Sequence, residues 1–296
     1  MKNKGVIYAL GAYFSWGILP IYWKLLHVVP SFQIFGYRVI SSFLFLLLVL
    51  SLRQDWGEFK RAVFNRKALL LFILTGMLLG VNWLVYIWAV NDNQIIETSL
   101  GYFINPLVSV ALGVVFLREK LRPLQWVPVG MAAAGVLYLT LQYGALPWIA
   151  LTLAFTFGVY GLLKKTAPTG GVNSMTIEMA VLVLPALGYL ILMGSRGQGV
   201  LTTVSPVTLI LLVFTGMVTV LPILMFTAAA RSIPLSMVGI LQYLAPTLQF
   251  LIGVLIYREP FTGTDLIGYA IIWAALILYG LEGGLQRRKA VVTAGA

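Results

Sequence analysis

From Ala68 to Asn91 the chain runs 24 residues without a charged side chain, and apolar stretches of similar length recur along it. The hydrocarbon core of a bilayer takes about 20 such residues per spanning helix. A soluble fold would have to show much of this surface to water. The stretches are continuous rather than alternating, which argues against a membrane β-barrel. Composition agrees: 60% of the 296 residues are hydrophobic and 10% are charged, against about 25% charged in soluble domains. The expected fold is an all-α membrane protein.

Ten spans are expected, near residues 5–26, 33–52, 68–90, 96–117, 124–142, 146–164, 175–194, 207–230, 236–257 and 264–283. The gaps carry charge or turn residues, as in Arg53 to Lys67, Ala167 to Gly171 and Ser195 to Gly199. Lys2 and Lys4 before an apolar stretch resemble a signal peptide. Lys24 ends that stretch, however, no small-residue cleavage site follows, and many similar stretches come after it.

The net charge is +11, from 20 basic and 9 acidic residues. The bases are too few and too widely separated for a nucleic-acid surface. With ten spans, the termini and the even-numbered loops share one side. Sixteen of the 20 bases fall there, Lys164 and Lys165 among them. Arg196 and Arg258 fall opposite, and Lys24 and Arg38 lie within or at the edges of helices. Basic loops stay cytoplasmic, so both termini are expected inside.

The chain also repeats itself. Thr75-Gly76-Met77 recurs as Thr215-Gly216-Met217, Pro106 as Pro246, Gly113 as Gly253 and Arg118-Glu119 as Arg258-Glu259, all 140 residues apart. Phe14-Ser15-Trp16-Gly17 matches Phe155-Thr156-Phe157-Gly158 at an offset of 141. Each half holds five helices, an odd number, so the second half must enter the membrane upside down. The expected architecture is ten transmembrane helices as two inverted five-helix repeats, 1–142 and 143–290, with 291–296 a disordered tail. Inverted repeats of this kind mark secondary transporters, with the substrate near the midplane between the halves.

Several chemistries are excluded. There is no cysteine, His27 is the one histidine, and no phosphate-binding loop is present. Thiolate or multi-histidine metal sites and ATP hydrolysis are therefore not expected, and no cofactor is implied.

Pro106 and Pro246 lie inside helices and remove backbone bonds to the carbonyls of Tyr102 and Gln242. Tyr102, Asn105 and Ser109 share one helix face, and their counterparts are Gln242, Ala245 and Gln249. Asn82 and Tyr86, with Trp83 beside them, add a third polar face. These residues, with Tyr243, either line a cavity or bond between helices. Arg38 and Glu178 are charges placed early in apolar spans, and such charges default to functional hypotheses. Arg38 could hold an anionic group, and Glu178 could couple protons or bind a cation. Alternatively, the two pair with each other or snorkel. Lys24 is expected to snorkel, the Gly76-x-x-x-Gly80 spacing to serve packing, and His27 to be exposed. Asp92, Glu97, Asp265 and Glu282 are expected to be solvated at helix ends.

Four stretches carry a family resemblance: Pro20 to Lys24, Asn82 to Ala89, Ser99 to Leu107, and Gln242 to Thr247. On these the chain resembles the EamA-type branch of the drug/metabolite transporter superfamily, and within it the RarD-type proteins. The resemblance implies ten helices in two inverted EamA repeats, a bacterial inner membrane and a permease role. In that family helix 2 opens with an acidic residue and has His before the Arg. Here those positions are Gln33 and Tyr37, and Arg38 is kept.

The expected function is therefore a secondary transporter, a permease or exporter, for a small amphipathic metabolite or drug. Protons are an optional partner. A membrane-embedded enzyme acting on lipid lacks paired carboxylates, a nucleophilic triad and cysteine here. A non-transporting assembly or sensor subunit is a further alternative, as is a channel, which the inverted repeat with kinked helices suits less well than alternating access.

Overall fold

The computed structural model describes residues 2–91, 95–143, 147–258 and 263–294, with no strand among them. The helices are α1 (Lys2–Lys24), α2 (Ser31–Arg53), α3 (Trp56–Phe64), α4 (Arg66–Asn91), α5 (Ile95–Leu117) and α6 (Trp126–Tyr143). They continue as α7 (Trp148–Thr166), α8 (Gly171–Ser195), α9 (Pro206–Ser232), α10 (Leu235–Gln242), α11 (Leu244–Leu255) and α12 (Gly263–Ala294). Seven stretches of at least 18 residues, within α1, α2, α4, α5, α8, α9 and the Pro123–Gln142 segment, are apolar enough to cross a bilayer. Exposed Leu48, Leu70, Leu184, Ile191 and Val213 stud their outer faces, as suits helices meeting lipid rather than water.

Three elements differ from the sequence expectation. The charged segment after α2 is not plain loop: Trp56–Phe64 forms the short amphipathic helix α3. Its Phe59 and Ala62 pack on Phe72 and Ile177. The expected ninth span is divided at Tyr243 into α10 and α11, whereas α5 continues through Pro106. Pro246 offers no amide to the Gln242 carbonyl, and Thr247 Oγ1 bonds the Tyr243 carbonyl at 2.8 Å. The backbone therefore breaks one turn before the proline. Helix α12 also runs on to Ala294, into the segment expected as a tail.

Packing pairs distant parts of the chain: α2 on α8 and α9, α4 on α7 and α8, α1 on α9 and α11, α5 on α7 and α10, and α6 on α12. Two crossings bring backbones together at glycine. A Cβ on Gly76 would sit 3.0 Å from the Glu178 carbonyl oxygen, and one on Gly216 would sit 2.3–2.5 Å from Ser41 and Ser42 backbone. Gly80 lies against Leu182. Arg118 and Arg258 both take left-handed backbone, with φ of 53° and 52°.

Candidate functional site

A cavity opens between α1, α2, α4, α5, α7, α9 and the α10–α11 break, enclosing about 790 Å³ including its open mouth. Arg38, Asn82, Trp83, Tyr86, Tyr102, Asn105, Gln242 and Gln249 line it. Tyr243 does not: it is buried in a neighbouring apolar cluster, where its ring packs 6.2 Å from that of Phe103. Sequence patterns missed Trp16, Pro20, Trp23 and Phe157 in the wall. Trp16 and Phe157 are marked only by the Phe14–Gly17/Phe155–Gly158 repeat, which reads equally well as packing, and Pro20 and Trp23 only by the Pro20 to Lys24 stretch of the family resemblance.

Arg38 sits on the eighth residue of α2, about 10 Å along the helix. Its guanidinium carbon lies 3.9 Å from the centre of the Trp83 ring and 5.0 Å from that of Trp23. Packed against two indoles, a guanidinium gains cation–π attraction and keeps N–H donors for a planar anion. No carboxylate stands within ion-pair distance of it among the described residues, and its Nε has no hydrogen-bond partner. Beside it the Tyr86 and Tyr102 rings meet edge to face at 5.6 Å.

The amides divide their roles. Asn82 Nδ2 donates to the Leu153 carbonyl (3.0 Å) and Thr156 Oγ1 (2.9 Å). Asn105 Nδ2 donates to the Ala154 carbonyl (3.2 Å), and Gln249 Nε2 to the Trp16 carbonyl (3.1 Å). These three therefore do bond between helices, and they line the cavity as well. Gln242 Oε1 is buried with no partner. A buried polar atom without a partner is costly and calls for an explanation. Here Gln242 Oε1 and Arg38 Nε belong to the same lining.

The cavity belongs to the end of the bundle where α1 finishes. The end where α1 begins is shut. There Tyr13 Oη donates to the Val238 carbonyl at 3.0 Å, and Tyr13, Trp16, Phe157, Tyr160 and Phe226 form one cluster of contacting rings. At its rim Glu119 accepts from the Leu235 amide (2.7 Å), the Ser236 amide (3.0 Å) and Ser236 Oγ (2.8 Å). Lys165 Nζ donates to the carbonyls of Ala230 and Ile233 (3.0 and 2.6 Å) and lies 3.8 Å from Glu119.

Glu178 lies outside the cavity, and its partner is not Arg38. Oε1 accepts from Lys164 Nζ at 2.7 Å and Thr75 Oγ1 at 2.8 Å, and Oε2 from Tyr160 Oη at 3.3 Å. Lys164 also donates to Ser174 Oγ at 2.6 Å. Lys164, which the sequence places among the bases of the cytoplasmic side, has a side chain only 1% exposed. Helix α7 continues two residues beyond the expected span, to Thr166, and Lys164 lies on its inward side, where the Glu178 carboxylate meets it. Glu282 is likewise not free in solvent: Arg122 Nη2 bonds it at 2.6 Å. Lys24 and His27 are exposed, Lys24 over the Tyr257 ring. Asp92, Glu259 and the side chains of Glu97 and Asp265 lie outside the described residues.

The model of the EamA-like transporter family matches this chain twice, over residues 3–141 and 146–281. The chain is 46% identical over 281 residues to the uncharacterized transporter YojE of Bacillus subtilis, covering 94% of this chain and 93% of that protein. It is 43% identical to the protein RarD of Streptomyces exfoliatus over 94% of this chain and 88% of that protein. It is 40% identical to the protein RarD of Escherichia coli over 97% of both. A solved crystal structure superposes with a TM-score of 0.69 at 17% identity, over 94% of this chain and 97% of that one, which establishes the shared fold. With its matched halves and full-length RarD-type relatives, the chain belongs to the EamA-like transporter family, and it is a multi-pass membrane protein related to transporters.

Proposed function

We propose that this protein is a secondary transporter that moves a small amphipathic carboxylate across the cytoplasmic membrane by alternating access. One observation carries the reading: a buried guanidinium, packed against Trp83 and Trp23 with no carboxylate in ion-pair distance among the described residues, faces a cavity shut at one end. A cation held without a counter-ion in an aromatic wall favours a ligand with a carboxylate and a flat apolar body.

Two inverted five-helix halves, 1–142 and 143–290, supply the mechanism in this reading. The exchange α1 for α7, α2 for α8, α4 for α9, α5 for α10–α11 and α6 for α12 carries the most extensive helix pairings into one another, whereas the smaller α7–α9 contact has no α1–α4 counterpart of similar extent among the described residues. The matching left-handed turns at Arg118 and Arg258 support the same correspondence. With both termini cytoplasmic, as the basic loops imply, the cavity faces outward and the ring cluster around Phe226 closes the cytoplasmic path. Proton coupling through Glu178 runs along the shut side and not through the cavity. Substrate is the small carboxylate, with no ATP and no cofactor in the cycle.

The test is counterflow of candidate carboxylates in sealed proteoliposomes, chosen by comparing metabolites inside and outside cells with and without the protein. Flux should need a sealed compartment and should fall with Arg38→Gln. Cysteines placed singly at Asn105 and Gln249, in a chain with no native cysteine, should react with aqueous thiol reagents. If they stay unreactive in every state, the cavity is not a substrate path.

A further inference from the structure

Arg38 and Glu178 occupy the same place in their helices. Each is the eighth residue, of α2 from Ser31 and of α8 from Gly171, 140 residues apart. Each also faces the end of the preceding helix of its own half: Arg38 faces Trp23 near the end of α1, and Glu178 faces Lys164 near the end of α7. Trp23 and Lys164 are themselves 141 residues apart, the offset of these first helices. The cation–indole contact on the open side thus has an ion pair as its counterpart on the shut side.

We propose that Lys164 is a second carboxylate-binding residue, uncovered when the protein opens at the end where α1 begins, and that Glu178 fills it while that end is closed. The inference rests on the alternating-access reading above. An inverted repeat builds the second vestibule from the counterparts of the first, so the mates of Leu19, Trp23 and Tyr86 become Tyr160, Lys164 and Phe226. All three are buried in the closed face, with Phe226 and Tyr160 stacked at 6.3 Å. The Glu178 carboxylate takes the position that a substrate carboxylate takes opposite a cation. Thr75 Oγ1 and Tyr160 Oη complete its shell, and Ser174 Oγ steadies Lys164. A dry ion pair of this kind gains little stability for its desolvation cost, which fits a group that is kept to be exchanged. Arg231 on α9 is the other charged group acting on Lys164. The consequence is asymmetry: among the described residues no carboxylate competes for Arg38, whereas Lys164 binds a carboxylate only by displacing Glu178.

The test places a single cysteine at Phe226 and, separately, one at Gln249. In sealed vesicles of each orientation, it measures their rates with anionic sulfonatoethyl and cationic trimethylammonioethyl methanethiosulfonate. The Phe226 cysteine should react only from the side of the N-terminus. Glu178→Gln should raise its anionic-to-cationic rate ratio by on the order of tenfold, and Lys164→Met should lower it by a similar factor. Either shift suffices if the other variant does not fold, and Gly161→Cys, whose neighbour is the Phe226 ring, repeats the measurement. A reactive Phe226 cysteine with an unchanged ratio overturns the inference and leaves the transport reading standing. So does an unreactive one beside a reactive Gln249 cysteine. If neither reacts, the transport reading itself falls, and this inference with it.

Discussion

Glu119 and Ser236 meet twice, the carboxylate accepting from the serine amide at 3.0 Å and from its hydroxyl at 2.8 Å. The carboxylate comes from the turn after α5 and the serine from the first turn of α10, so the contact ties the two halves together at the shut end. The room for it comes from Gly113, where a Cβ would lie 2.7 Å from Glu119 Oε2. An acidic group at a helix start also gains from the exposed amides there.

Replacing Glu119 should loosen that end. Glu119→Gln presents an amide to donors and loses charge-assisted bonds worth about 1.5–3 kcal/mol. The thermal midpoint in detergent should fall by several degrees, and by less in Ser236→Ala, which keeps both backbone bonds. Equal midpoints for parent and Glu119→Gln would show that the contact carries no weight.

Arg38 should tolerate no substitute. Lysine keeps the charge but lacks the planar guanidinium that packs against Trp23 and Trp83. Arg38→Lys and Arg38→Gln should both raise the KM for carboxylate counterflow at least tenfold while expression stays normal. Full activity in Arg38→Lys would mean that charge alone suffices.

The Lys164–Glu178 pair should show strong coupling in a double-mutant cycle. Removing one partner of a buried pair costs about 3–5 kcal/mol, because the other charge is stranded, and removing both costs less. Unfolding of Lys164→Met, Glu178→Gln and the combined variant should place the combination above either single change. Additive losses would contradict the pairing.

Gly216 should be less replaceable than other helical glycines. A methyl group there meets Ser41 and Ser42 backbone, which cannot rotate aside, whereas one on Gly130 meets nothing within 4 Å. Overpacking costs about 1–3 kcal/mol, so Gly216→Ala should lower the yield of folded protein and Gly130→Ala should not. Folded yields distinguish them directly.

Much of the fold was legible in the chain because lipid imposes one dominant demand. Long uncharged runs such as Ala68 to Asn91 leave the backbone no partner but itself, so helix follows. The polar face of Tyr102 and Asn105 was legible for a similar reason, since polar groups in such runs must find protein. What stayed hidden depended on tertiary placement. Lys164 and Lys165 are neighbours in a basic pair, and nothing local says that one turns inward to a carboxylate while the other caps carbonyls. Aromatic residues such as Trp16 and Trp23 read alike whether they face lipid, core or cavity. The break at Tyr243 escaped notice because proline marks the cause and not the site of the interruption.

The paired crossings at Gly76 and Gly216 have a mechanical consequence. Side chains interlocked across an interface resist turning like meshed teeth, because each must change rotamer to pass. Where backbone rests directly on backbone there are no teeth to disengage. The two crossings, Gly76 on α8 and Gly216 on α2, thus form a matched pair of bearings, one in each half. A few degrees of rotation about them sweeps the far ends of the helices through the largest arc, while the contact points barely move.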